Sequence, residues 1–304
     1  MQAIAPKTTL IDLKYLGYPE AIATCLLEGD GELALVDPGP TTCLDTLEGE
    51  LAGRGLRLTD LTALLLTHIH LDHAGACGAL VRRNPRLRVY VQERGAVHLT
   101  DPSRLLLSAA RLYGDQMQRL WGEVAPVPAG NLQVLRGGET IALAGRKIAV
   151  AYTPGHATHH VSYFDASTGI AFVGDTCGLR YPGYTLVLPL TPPPDIDLEV
   201  WPRSWQQIRS WRPERLFPTH FGPAGDVEAH LAQLEERITR WAEYARQTLA
   251  QQGSDAERVG WFLQQVEAEL YRELPAEAVR RHLVGTAPEQ CWYGLARYWR
   301  KRAG

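Results

Sequence analysis

Apolar residues follow two different spacings along the chain, and these predict two kinds of structure. Up to about residue 220 they fall in short runs separated by Gly, Pro and Asp, the pattern of strands and tight turns. Segments 23–28 and 32–37 flank Gly29-Asp30-Gly31, which predicts a hairpin, and Asp37-Pro38-Gly39-Pro40 ends its second strand. Leu44, Leu47 and Leu51 are spaced for one face of a helix over about 42–54. Residues 61–66 are nearly all apolar, as in a strand buried on both faces. The small residues 74–80 suit the start of a closely packed helix, and 87–92 reads as a strand. Residues 101–121 interrupt with one or two helices, where Asp101 caps and Pro102 opens the first turn. Strands resume at 132–135, 140–143 and 147–152, and a further pair, 161–165 and 170–175, flanks the turn Ala166-Ser167-Thr168-Gly169. Residues 181–202, with Thr191-Pro192-Pro193-Pro194-Asp195, predict a long loop of the kind that forms lids or binding loops.

From Asp226 onward the spacing becomes helical. Val227, Leu231, Leu234, Ile238, Trp241, Ala245 and Leu249 form one apolar stripe. Ser254-Asp255-Ala256-Glu257 matches a capping box opening a second helix, and Pro275 precedes a third over 276–284. The expected division is 1–225 as the strand-rich domain and 226–304 as a helical segment on or near the active site.

Composition adds mainly exclusions. The 304 residues, 45% of them hydrophobic and 21% charged, suit an ordinary globular enzyme. A net charge of −3 argues against nucleic acid as the main partner. No apolar run approaches the ~20 residues that cross a bilayer, and the first seven residues lack the charged-then-apolar pattern of a signal peptide. The expectation is a cytoplasmic protein acting on a small molecule, without membrane or nucleic-acid partners and compatible with a homodimer. Five dispersed cysteines, Cys25, Cys43, Cys77, Cys177 and Cys291, show no CxxC spacing and read as free, mostly buried thiols. Cys177, two residues after Asp175, is read as a small buried neighbour of the site.

The candidate chemistry begins at His68-Ile69-His70-Leu71-Asp72-His73, directly after the apolar run. Three imidazoles and a carboxylate within six positions are poor core material, because each needs a partner when buried. They are good ligands for a divalent metal. Other strand ends add Thr153-Pro154-Gly155-His156, Gly174-Asp175-Thr176 and Pro218-Thr219-His220-Phe221-Gly222. Each is weak alone; together they supply one ligand per strand end, where sites of α/β proteins gather.

The series H-x-H-x-D-H, T-P-G-H, G-D and T-H, over roughly residues 10–222, resembles the metallo-β-lactamase superfamily. The resemblance implies a mixed α/β (α+β) fold, an αββα sandwich with a C-terminal helical extension and a metal pair at one edge. By position, His68, His70 and His156 would bind one metal and Asp72, His73 and His220 the other, with Asp175 bridging. Asp37 and His160 would be supporting or turn residues; His159 has no counterpart and is expected in a loop or at the surface. A histidine at 70, where oxygen- or nitric-oxide-reducing relatives carry a carboxylate, favours hydrolysis. The absence of a cysteine from the second set points to the glyoxalase II-like branch, not to true β-lactamases.

The implied activity is a dinuclear hydrolase whose metal-bridging hydroxide attacks an ester, thioester, lactone or phosphoester. Asp72 would orient the hydroxide and pass a proton to the leaving group. Zinc is the first candidate metal, then manganese or iron. Tyr113, Met117, Arg180, Tyr181 and Tyr184 are the expected pocket lining, Arg180 facing either a substrate anion or a local carboxylate. Two rivals stand beside this reading: a mononuclear iron persulfide dioxygenase using His68, His156 and Asp175, and a non-catalytic scaffold. The intact ligand set argues against both.

Overall fold

The computed structural model of the chain describes residues 1–303. Strands β1 (Gln2–Ala5), β2 (Thr8–Asp12), β3 (Ala23–Gly29) and β4 (Glu32–Val36) form an antiparallel meander. Strands β5 (Ala63–Leu65), β6 (Arg88–Gln92) and β7 (Leu132–Leu135) extend it in parallel, giving a seven-stranded sheet in sequence order. Helices α1 (Leu44–Ala52), α2 (Leu71–Ala74), α3 (Cys77–Arg83), α4 (Glu93–Thr100), α5 (Ser103–Tyr113) and α6 (Met117–Trp121) lie between those strands. The second sheet has five strands: β8 (Thr140–Leu143), β9 (Arg146–Tyr152), β10 (Val161–Asp165) and β11 (Ile170–Phe172) are antiparallel, and β12 (Arg215–Phe217) joins β11 in parallel. Helix α7 (Trp201–Ser210) precedes β12, and α8 (Val227–Leu249), α9 (Asp255–Glu273), α10 (Ala276–Thr286) and α11 (Pro288–Ala303) follow it.

The two sheets pack face to face. Alternate residues of the first sheet, Cys25, Leu27, Ala34, Val36, Ala63 and Leu65, meet Ile148, Val150, Val161, Tyr163, Phe172 and Phe217 of the second in one buried core. The intervening residues Leu26, Leu35 and Leu64 point the other way, onto Leu44, Leu47, Leu51 and Leu80 of α1 and α3. Both faces of β5 are therefore apolar, which explains its unbroken leucine run. The outer face of the second sheet packs under α7 to α11, where Trp201, Trp205, Trp241, Phe262 and Trp292 are fully buried. The result is the αββα sandwich, with the C-terminal helices sharing the core of its outer helical layer.

Helices α4, α7 and α11 are not apparent in the sequence pattern. Gly95 and β-branched Val97 weaken the helical signal of α4. Pro202, expected at the end of the long loop, and Pro288 both occupy first turns, where proline costs no hydrogen bond. All five cysteines are buried and unpaired. Among the described residues no helix is long and apolar enough to cross a membrane.

Candidate metal centre

Four strand ends and one turn of helix meet at one edge of the sandwich. The chain leaves β5 in extended form through His68, and α2 begins only after His70, so Asp72 and His73 are carried on a helical turn. This break separates the hexapeptide into two pairs. On one side, His68 Nε2 and His156 Nε2 each lie 3.0 Å from His70 Nδ1. They lie 4.0 and 3.6 Å from Asp175 Oδ2. On the other side, His73 Nε2 and His220 Nε2 lie 3.2 and 3.5 Å from Asp175 Oδ1, and 3.6 and 3.2 Å from Asp72 Oδ2. Within each set of four residues the candidate donor atoms all lie within 4.8 Å of one another.

A cation suits both clusters. His73 Nε2 and Asp175 Oδ1 are buried, close and without any hydrogen-bond partner. Both would be costly to leave so, and a shared ion satisfies them together. The three converging nitrogens of His68, His70 and His156 equally need a positive charge among them if all present lone pairs.

The outer nitrogens decide which lone pairs those are. His156 Nδ1 donates to Leu190 O at 2.8 Å, His220 Nδ1 to Ala21 O at 2.8 Å, and His73 Nδ1 to Asp37 Oδ2 at 2.9 Å. Each N–H is thereby fixed on the outside, leaving Nε2 free to bind. The Thr67 hydroxyl donates to Asp37 Oδ2 at 2.7 Å, so at 3.1 Å from His68 Nδ1 it accepts, which fixes that ring as well. Asp37, fully buried, also accepts from Thr67 N and the Thr219 hydroxyl, both at 2.8 Å. It ties together the ends of β4, β5 and β12. The His156 loop turns at Gly155, whose φ of +135° and contact with the Trp201 ring exclude a side chain.

Charge divides along the same line. Burial and the neighbouring imidazoles push His70 down to about 3, push His68 well down, and lower His156, so these rings stay neutral. Burial opposes charge on His73 and His220 too, but the carboxylates of Asp175 and Asp72 overcome it and raise both. Asp72, despite burial, is held down to about 2 by His73 and His220, and Asp175 is held lower still. The carboxylates therefore favour positive charge on His73 and His220, at the place where a metal would supply it.

His159, expected in a loop or at the surface, lies in the loop but is buried edge-on to His70 at 5.5 Å. His160 is buried as well, its Nδ1 2.9 Å from the Thr153 hydroxyl. Burial pushes the Cys177 thiol up, away from the thiolate a ligand needs. Among the expected pocket residues, Tyr113 and Met117 pack with Trp121 against Leu71, between two ligand candidates. Arg180 donates from Nε to Tyr184 O at 3.0 Å and lies 3.8 Å from Asp226 Oδ2. Tyr181 and Tyr184 meet His282 of α10 edge-on, and Arg281 stacks over Tyr181 at 4.1 Å. The supporting roles of Thr67, Thr219 and the Leu190 and Ala21 carbonyls were not read from the sequence; the two carbonyls leave no signal there.

Residues 17–220 match the metallo-beta-lactamase superfamily. A metallo-beta-lactamase fold-containing protein of Sulfurisphaera tokodaii is 26% identical over 222 residues, 71% of this chain and 80% of that protein. A hydroxyacylglutathione hydrolase of a Synechococcus species is 31% identical over 129 residues, but the alignment covers only 41% of this chain and 40% of that enzyme. In fold, a metallo-beta-lactamase family protein from Thermus thermophilus superposes with a TM-score of 0.72 at 23% identity, covering 99% of this chain and 95% of that one. With its sandwich, its paired histidine and aspartate clusters and this match, the chain belongs to the metallo-beta-lactamase superfamily and is a metallo-hydrolase of that family.

Proposed function

We propose that the protein is a dinuclear hydrolase of an ester-like bond in a small molecule: an ester, thioester, lactone or phosphoester. One divalent ion would be held by His68, His70, His156 and Asp175, the other by Asp72, His73, His220 and Asp175. Zinc comes first, because imidazole and carboxylate donors suit it, with manganese or iron next. The carrying observation is Asp175, whose two oxygens face two separate histidine sets. When bound, paired divalent ions ~3.5–4 Å apart supply a water acidic enough to attack near neutral pH and polarise the substrate oxygen.

The chain's own residues do the rest. Asp175, its side chain 6% exposed, sets the spacing by offering one oxygen to each side. The Asp72 side chain is 24% exposed and is the more open carboxylate. It is placed to orient an incoming water and hand its proton to the leaving group. Tyr113, packed on Leu71, is kept as the side chain facing substrate. Arg180 is assigned to support, since its backbone N–H donates to His220 O at 2.8 Å. Likeness over part of the chain to a hydroxyacylglutathione hydrolase supports an acylated small molecule as substrate. We place the protein in the cytoplasm, as monomer or homodimer, with its helical segment beginning at 226.

The test is metal content after purification without chelator or added metal, followed by a screen of esters, thioesters, lactones and phosphoesters. Two equivalents of zinc, manganese or iron with hydrolysis support the proposal. One equivalent of iron alone, with oxygen uptake on a persulfide, replaces it with the dioxygenase reading.

A further inference from the structure

Helix α11 grips the chain at residues 189–199, and that strap in turn holds the loop carrying His156. Cys291, Gly294, Tyr298 and Arg302 recur at helical spacing on one face of α11. Thr191 donates from its backbone N–H to Cys291 Sγ at 3.5 Å and from its hydroxyl to Cys291 O at 3.4 Å. At Gly294 an added Cβ would sit 2.0 Å from Thr191 O and 2.8 Å from Pro192 C, so the strap's backbone lies directly on the helix. Arg297 Nε donates to Pro194 O at 3.2 Å, and Arg302 Nε to Glu199 Oε1 at 3.0 Å.

On its other side the same strap touches the His156 loop three times. Leu190 O accepts from His156 Nδ1 at 2.8 Å. Asp195 Oδ2 accepts from the Thr158 hydroxyl at 2.8 Å, and Asp197 N donates to Gly155 O at 2.8 Å. Each outer nitrogen of the second cluster is held elsewhere: His73 by Asp37 and His220 by Ala21.

We propose that α11 is the positioning element of one metal site and not of the other, with Gly294 and Cys291 acting on His156 through Thr191 and Leu190. This rests on His156 being a metal ligand. The device is specific because the helix touches no candidate ligand through any of these contacts; it fixes the carbonyl that decides where His156 carries its proton and how its ring is aimed. A side chain at Gly294 must push the strap away from α11, draw Leu190 off His156 and loosen the ion shared with His68 and His70.

The experiment is chelator competition on the full-length zinc-loaded protein, wild type against Gly294→Ala, with Cys291→Ala as a milder lesion should Gly294→Ala not fold. The expected result is that one ion keeps its wild-type affinity while the other weakens by about tenfold or more in Gly294→Ala, the scale of lost outer support, and a few-fold in Cys291→Ala. The Nδ1 proton of His156 should exchange with solvent faster in the variants while those of His73 and His220 do not, a change that general loosening would not produce. Two ions of unchanged affinity, or two weakened equally, overturn the proposal. Wild-type protein holding fewer than two ions overturns the dinuclear reading beneath it, a failure seen before any variant is made.

Discussion

The Asp37 carboxylate accepts from His73 Nδ1 at 2.9 Å while also accepting from the hydroxyls of Thr67 and Thr219. Every one of these partners donates. In Asp37→Asn the amide nitrogen would face donors, stranding at least one of them in the core. We expect metal affinity to fall about 10–100-fold, as for lost outer partners elsewhere, and stability to drop by about 1–3 kcal/mol. Metal titration and denaturant unfolding of the same variant measure both.

Asp175→Ala removes an oxygen from each cluster at once and should lower the affinity for both ions. Tyr184→Phe, whose ring packs on His282, should leave both in place. Elemental analysis of the two proteins, purified side by side, decides; the same metal loss in Tyr184→Phe as in Asp175→Ala would overturn the assignment.

Proton release should accompany metal uptake. The carboxylates of Asp175 and Asp72 raise His73 and His220 above the ordinary histidine value, so protons compete with a metal for these rings more strongly than for a free imidazole. Affinity should therefore fall as pH falls. Calorimetry in buffers of differing ionisation enthalpy would count the protons, and a pH-independent affinity would contradict the assignment.

In the metal-free protein the same shifts set a stability window. Asp72, held down to about 2, contributes stability above the unfolded carboxylate value of ~3.9 and loses it as pH drops toward 2. His73 is shifted upward, so its contribution is complete below ~6.5 and fades as pH rises through its raised value. His68, His70 and His156, kept neutral by burial, take up protons only on unfolding and so oppose stability as pH falls below ~6.5, which leaves the metal-free protein most stable near pH ~6.5. Melting curves across pH, with and without zinc, should show the loaded optimum displaced upward.

Arg146 and Asp165 form a buried pair at 2.5 Å near the start of β9, with side chains 5% and 0% exposed. Arg146 opens the seven-residue strand β9, which carries the chain about 20 Å to the turn toward His156. Arg146→Met strands the carboxylate and should cost about 3–5 kcal/mol while leaving metal stoichiometry unchanged. Loss of metal in a folded variant would mean that the sandwich transmits strain along its length.

The fold and the candidate ligands were largely legible in the sequence because both depend on local pattern. Short apolar runs bounded by Gly, Pro and Asp mark the strands, and His68, His70, Asp72 and His73 fall within six positions. The supporting contacts were not legible, for a physical reason. Leu190 and Ala21 act through backbone carbonyls, which carry no side-chain signature, and Asp37 finds Thr219 only after 182 residues of folding. Tyr181 and Tyr184 looked like pocket residues by their distance from Asp175, yet their rings are occupied by a helix a hundred positions downstream.

Because leucines cover both faces of β5, sliding that strand by one position would exchange one buried leucine for another at little hydrophobic penalty. Hydrophobicity alone leaves its register nearly unspecified. What distinguishes the native alignment is polar: the Thr62 hydroxyl donates to Leu33 O at 3.0 Å at one end, and Asp37 is locked to Thr67 at the other. The residues that steady the metal edge thus also act as the strand's address label.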